Sequence, residues 1–266
     1  MSTVLSIILR AESLSYLSFN DAGGMESFGR KDFDSKDLTS LGETFTSISE
    51  AAGKWNSVVV GLDHSIFTII PGSLYDRSHW FDYLLCVYPD LTLDEVCSIP
   101  VLEERFIFQF DIQLRKLLSD HFPGFMLFHL AAAYWIYYTD NPVKEDHLYL
   151  MLRDNHLYLL SGQDQRITLL NRFYAPTEND ALYYCLLACK EFNRSPNDVT
   201  ISITSNKPEI ILRFEKYFKE VVVRDPITEN LNLSESVDPL DLMDHFYLYY
   251  ANNRREVQRS SFPPTN

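Results

Sequence analysis

Leu5-Ser-Ile-Ile-Leu-Arg-Ala-Glu-Ser-Leu-Ser-Tyr-Leu-Ser18 and Leu148-Tyr-Leu-Met-Leu-Arg-Asp-Asn-His-Leu-Tyr-Leu-Leu-Ser161 are the two stretches that decide the fold. Slid over one another, they agree at Leu5/Leu148, Leu9/Leu152, Arg10/Arg153, Leu14/Leu157, Leu17/Leu160 and Ser18/Ser161. Each holds two short apolar runs divided by a polar turn, the pattern of a β-hairpin. Further on, Asn56-Ser-Val-Val-Val matches Asn197-Asp-Val-Thr-Ile at nearly the same offset. A self-similarity of this length points to an internal repeat.

The surrounding elements repeat in the same order. In the first half, a third strand is expected over 25–33, a helix over 35–52 stopped by Gly53, and strands over 57–61 and 66–70. A helix over 74–88, a strand over 105–110, a helix over 111–121, a strand over 124–130 and a helix over 131–138 complete it. Asp140-Asn-Pro-Val-Lys-Glu-Asp146 is polar and carries a proline, so it marks the boundary between 1–142 and 143–266. Beyond it come a hairpin, a third strand over 166–174, a helix from Thr177 as N-cap, a strand over 199–204, a helix over 208–219 and a strand over 221–224. Asp238-Pro239 opens a last helix.

Two copies of strand-strand-strand-helix-strand-helix, with an insertion in the first, give the layout of the α/β actin-like ATPase (ribonuclease H-like) fold. In this fold two duplicated subdomains each carry a mixed β-sheet flanked by helices. The chain also resembles a bacterial family known as domain of unknown function 3822. The carrying segments are Leu5 to Leu9 with Leu14 to Phe19, Phe67-Thr-Ile-Ile-Pro-Gly-Ser-Leu-Tyr-Asp76, His147 to Leu152, and Arg172-Phe-Tyr-Ala-Pro-Thr-Glu-Asn-Asp-Ala-Leu-Tyr-Tyr184. The resemblance runs to about Arg224 and implies an actin-like fold with no established activity.

The resemblance to actin-like ATPases also implies where a nucleotide would sit. Their phosphates are held by two hairpin turns in which glycine lets backbone N–H groups approach and aspartate manages Mg²⁺ or water. Here the turns read Arg10-Ala-Glu-Ser13 and Arg153-Asp-Asn-His156, and neither contains glycine. The Gly-Gly pair expected after the strand ending near Thr204 is replaced by Ser205-Asn-Lys-Pro208. Glu12, Ser13, Asp154 and Asn155 are therefore the only candidate cofactor-binding residues, and they read equally as solvated turn residues. With nine glycines in 266 residues, few loops remain that could cradle a phosphate, and neither a P-loop nor a GxGxxG occurs.

Other chemistries find no motif. The seven histidines include no HExxH, and Pro71-Gly-Ser-Leu74 is not a nucleophile elbow, so Ser73 reads as a helix N-cap. Asp63-His64 follows a strand but lacks a nucleophile. Asp238, Asp241 and Asp244 fit a capped, dipole-compensated first turn better than a metal site. Cys185 and Cys189 share a helix face without a CxxC or paired His, which makes them buried small hydrophobes. No catalytic and no metal residue is assigned.

Lys plus Arg is 23 against 37 Asp plus Glu, a net charge of −14, which argues against nucleic acid or an anionic membrane as partner. The start of the chain lacks a cationic n-region, and the apolar stretch from Phe125 to Tyr138 is too short to span a bilayer, so a cytoplasmic setting is expected. Aromatic residues make up 14% of the chain, and Phe246-Tyr-Leu-Tyr-Tyr250 exceeds one helix stripe. Such a surplus is expected to leave an aromatic edge, at Tyr249 and Tyr250, for a protein partner. The expected function is a non-catalytic protein-binding or scaffold module without a cofactor. The alternative is a nucleotide-binding ATPase or sugar-kinase-like enzyme with atypical phosphate loops, using ATP and Mg²⁺.

Overall fold

A computed structural model describes residues 3–20, 22–33, 38–51, 55–153, 155–205, 209–224 and 237–254. The chain divides into two compact units, 1–133 with 244–266 and 134–243. The sequence reading placed the division within Asp140–Asp146; in the structure two helices each contribute residues to both units.

In the first unit, β1 (Val4–Leu9), β2 (Ser13–Phe19), β3 (Met25–Asp32), β4 (Ser57–Leu62) and β8 (Met126–His129) form one sheet in the order β3-β2-β1-β4-β8. Strands β1 and β2 are antiparallel, while β4 and β8 run parallel to β1. The runs in β1 and β2 are apolar because both faces of the strands are covered: Leu5, Ile7, Ile8, Leu14 and Leu17 are fully buried. Helix α1 (Leu38–Ala51) buries Leu41, Phe45 and Ile48 at helical spacing, and Phe45 meets Phe122 edge-on at 5.4 Å after α3 (Ile112–His121).

Between β4 and α3 lies the insertion. Strands β5 (Phe67–Pro71), β6 (Val96–Val101) and β7 (Glu104–Gln109) pair antiparallel in the order β5-β7-β6. The helix expected over 74–88 is absent. Two 3₁₀ turns, Gly72–Leu74 and Arg77–His79, and the four-residue α2 (Asp82–Leu85) stand in its place. Asp76 explains the break, since its carboxylate accepts from both the Ser78 N–H and the Ser78 hydroxyl and stops the chain from continuing as a helix. Ser73 lies inside the first 3₁₀ turn, which has no side-chain cap.

The second unit repeats the order. Strands β9 (His147–Arg153), β10 (His156–Gln163), β11 (Arg166–Tyr174), β12 (Thr200–Ser205) and β13 (Glu220–Val223) are ordered β11-β10-β9-β12-β13. The register repeats as well. Leu5 faces Ser18 and Val58, and Leu148 faces Ser161 and Ile201, a constant step of 143 positions. Even the irregularities coincide, with register shifts at Ser18/Phe19 and at Ser161/Gly162. Helix α5 (Glu178–Glu191) starts from Thr177, whose hydroxyl and Asp180 form a reciprocal capping box. Helix α6 covers Glu209–Phe214, shorter than the expected 208–219.

Helix α4 (Leu130–Asp140) is apolar all round because it is enclosed: residues 130–134, Ile136 and Tyr138 are buried. Its tyrosines pack within the second unit, Tyr134 on Tyr158 at 5.1 Å and Tyr138 on Tyr149 at 5.2 Å. Helix α7 (Pro239–Asn253) closes the described chain. Gly61 is where α7 approaches the first sheet; a Cβ there would lie 2.5 Å from Leu248 Cδ1.

Candidate functional site

The hairpin turns after β1 and β9 lie in the middle of the two aligned segments, and each has an arginine at its start. In the first turn, the Arg10 N–H donates to the Ser13 carbonyl at 2.9 Å, and the Phe33 N–H closes on the Glu12 carbonyl at 3.0 Å. In the second, the Ala175 N–H donates to the Asn155 carbonyl at 2.7 Å, so both turns are tied to the chain just beyond the third strand. The side chains of Glu12 and Asn155 are exposed and Ser13 is buried. Asp154 lies outside the described residues, as do 206–208 of the segment that replaces the expected Gly-Gly loop. Among the described residues the Glu12 and Asn155 side chains make no polar contact, and nothing in their geometry sets them apart from ordinary turn residues.

The chemistry of the turns resides instead in the arginines and in α7. The Arg10 guanidinium donates to Asp244 Oδ2 at 2.7 Å and to Ser15 Oγ at 3.1 Å, and its Nε lies 3.8 Å from Asp63 Oδ2. Ser15 Oγ in turn hydrogen-bonds His245 Nε2 at 3.0 Å, while His245 Nδ1 hydrogen-bonds Ser6 Oγ at 2.8 Å. His245, Ser6 and Ser15 are fully buried and Asp244 is 2% exposed, so a chain of polar groups crosses the core of the first unit. The second unit holds the counterpart. Arg153 donates to Asp241 Oδ1 at 2.8 Å, with Asp238 Oδ2 at 3.8 Å, and Asp241 is 1% exposed.

The sequence reads Asp238, Asp241 and Asp244 as a capped, dipole-compensated first turn, and the structure separates their roles. Asp238 does behave as a cap, its Oδ1 accepting from the Leu240 N–H at 2.8 Å. The other two are buried counter-ions to the repeated arginines. Sequence reasoning noticed Arg10/Arg153 and the Asp-x-x-Asp spacing separately. The joining signal was available: charged residues at apolar flanks on a helix with Leu240, Leu242, Met243, Tyr247 and Leu248 must be buried with a partner.

The second unit also has a cavity of about 390 Å³ beside the end of β9 and the start of α5, lined by Leu152, Ala175, Thr177, Glu178 and Arg213 among others. Its charged groups satisfy one another, with Arg213 Nη1 and Glu178 Oε2 at 3.4 Å. Burial pushes the Cys185 thiol well above its ordinary pKa, and neighbouring Cys189 adds to this, which holds Cys185 as an inert thiol. Among the described residues no group of His, Cys, Asp and Glu is arranged to hold a metal ion, and no helix is long and apolar enough to cross a membrane.

The aromatic surplus of α7 is turned largely inward. Tyr247 is buried, Tyr249 stacks on Phe19 at 4.3 Å, and Phe246 and Tyr250 are half-buried beside each other at 6.3 Å. The edge expected at Tyr249 and Tyr250 is thus partly spent on the protein's own first sheet.

The model of a protein family described as protein of unknown function (DUF3822) matches residues 2–221. Among solved structures, a Bacteroides thetaiotaomicron protein with actin-like ATPase fold and unknown function matches with a TM-score of 0.71 at 17% identity, over 85% of this chain and 91% of that one. The PilM–PilN type IV pilus biogenesis complex matches with a TM-score of 0.53 at 8% identity, over 93% of this chain and 96% of that one. No curated protein matches the chain. The architecture is the actin-like ATPase fold, α/β with mixed sheets flanked by helices.

Proposed function

The chain belongs to the DUF3822 family, and we propose that it works as a non-catalytic protein-binding or scaffold module on the actin-like ATPase fold. One observation carries this reading. The arginine at each hairpin turn is neutralised by the chain's own buried carboxylate, Arg10 by Asp244 and Arg153 by Asp241. A turn that is to hold phosphate needs unspent positive charge and close backbone approach. These turns supply neither, since their cations are paired and they lack glycine. A fold neighbour solved as the PilM–PilN complex illustrates a use of this architecture in assembly.

The alternative, a nucleotide-binding enzyme with atypical loops, draws on the cavity beside Thr177 and Arg213. Calorimetric titration with ATP and Mg²⁺ separates the two readings. No saturable heat is expected. Micromolar binding would overturn the non-catalytic reading and return Glu12, Ser13 and Asn155 to the site.

A further inference from the structure

The two faces of the insertion's sheet differ: Ile99, Val101, Phe106 and Phe108 are buried on one, while the cluster on the other is only half closed. That cluster contains three buried residues among those described, Leu84, Val96 and Ile107, against eight half-buried ones, five of them aromatic. The main cluster of the second unit shows the reverse, seventeen buried and six half-buried. Over the insertion's cluster lies a thin layer of 3₁₀ turns and the short α2, and that layer shows Leu74, Val87 and Leu93 to solvent at 69%, 61% and 54% exposure. Hydrogen bonds hold the layer together. Tyr83 Oη donates to the Leu74 carbonyl at 2.8 Å and accepts from the Asp76 N–H at 2.9 Å, and the Val87 N–H donates to the Leu84 carbonyl at 3.0 Å. Leu74 and Val87 are therefore displayed from a fixed framework, and the Thr92–Glu95 capping box holds the turn of Leu93. Large apolar side chains exposed on one ordered layer, over a cluster whose eight other apolar members are only half-buried, mark an interaction site.

The rim says what kind of partner fits. Across 72–95 the chain carries Asp76, Asp82, Asp90, Asp94 and Glu95 against Arg77, and Arg105 of β7 adds one more cation over the Tyr75 ring at 4.8 Å, which leaves the face acidic. His79 is engaged with Asp82 at 2.9 Å. We propose that this face of the insertion docks a protein segment that is apolar at its centre and rich in Lys and Arg at its edges. The acidic rim steers such a segment in and repels competitors of the same sign. An anionic bilayer is repelled for that reason. A second copy of the chain would bring an identical acidic face and a net charge of −14. The proposal rests on the protein-binding reading above but names the surface and the partner's chemistry.

Selection from a display library of random peptides against the whole protein tests it. The enriched peptides should combine Leu or aromatic residues with net positive charge. They should bind the Leu74→Asp/Val87→Asp variant at least about tenfold more weakly, since burying one such side chain is worth at least that factor. Both positions are exposed, so the melting temperature should stay within the scatter of the wild type. Asp90→Asn/Asp94→Asn should weaken the same peptides less and flatten their salt dependence. Neutral or acidic winners, winners indifferent to Leu74→Asp/Val87→Asp, or no enrichment would overturn the proposal. So would binding of phosphatidylglycerol vesicles, or self-association of the wild type, that the variant abolishes. None of these outcomes touches the Mg²⁺–ATP titration, so this face can fail while the non-catalytic reading stands, and the reverse.

Discussion

Breaking the Arg10–Asp244 pair should cost far more than an ordinary surface ion pair. The two side chains are 7% and 3% exposed and 2.7 Å apart. Removing one partner of such a pair leaves a charge in a poorly solvating site, at about 3–5 kcal/mol. The two single substitutions are not equivalent. Asp244→Leu leaves Arg10 with Asp63 Oδ2 still 3.8 Å from its Nε, so the loss belongs at the lower end, about 3 kcal/mol. Arg10→Met takes the cation from both carboxylates and removes the donor to Ser15 Oγ, which places it at the upper end, about 5 kcal/mol. At about 2–4 °C per kcal/mol for a chain of this size, the melting temperature should fall by about 6–20 °C.

The double variant Arg10→Met/Asp244→Leu should recover much of the loss, because two apolar side chains of similar bulk can replace a buried ion pair at little net cost. Urea unfolding followed by circular dichroism, with hydrogen exchange of the α7 amides as a local probe, gives the cycle. A coupling of about 2 kcal/mol or more is expected, and the equivalent cycle on Arg153 and Asp241 should give a similar value. Single losses below about 1 kcal/mol, or additivity within about 0.5 kcal/mol, would refute the idea that α7 neutralises the turns.

Gly61→Val should destabilise the first unit by about 1–3 kcal/mol, because its Cβ would meet the fully buried Leu248 at 2.5 Å. Adding Leu248→Ala should return part of that loss in the same urea assay, and no recovery would show that α7 does not set the space at Gly61. The hydrogen bond that the His79 ring donates to Asp82, then the charges of Asp76 and Asp82, raise the His79 pKa above its ordinary value. The interaction is therefore complete below the ordinary histidine value and is lost as pH rises through the raised one. Proton-detected titration of the His79 ring should show this raised midpoint, and Asp82→Asn should lower it. An unchanged midpoint in that variant would contradict the assigned cause.

The paired sheets were legible because their signal is local and repeated. Short apolar runs, a polar turn and a matching offset identify β1, β2, β9 and β10 without any knowledge of the partner strands. The insertion was less legible for equally physical reasons. Strand β6 hides behind Pro100 and Ser98, which dilute its apolar run. The apolar residues from Leu74 to Tyr88 have near-helical spacing, yet Asp76 binds the backbone locally and breaks the run into 3₁₀ turns. The site was half legible. The repeated arginines and the Asp-x-x-Asp of α7 were each visible, but their pairing spans 234 and 88 positions, and no local pattern carries it.

That pairing also explains how glycine-free turns can be stable in this fold. An arginine buried at a hairpin end must be neutralised, by a bound anion or by the protein itself. Were an anion the normal counter-charge, loss of the ligand would leave Arg10 and Arg153 each in a poorly solvating site at several kcal/mol. Helix α7 removes that dependence. Its Asp244 serves Arg10 in the first unit and its Asp241 serves Arg153 in the second. With the charge balanced internally, the turns need no close backbone approach to a phosphate. Glu12 and Asn155 can then sit exposed, where glycine's conformational freedom would only have added entropy to lose. The same helix fixes its own register, because a shift of one residue would swing both carboxylates by about 100° away from their arginines. Internal neutralisation thus balances the charge of the turns without a bound anion, and the proposed binding face lies away from them, on the layer that exposes Leu74, Val87 and Leu93.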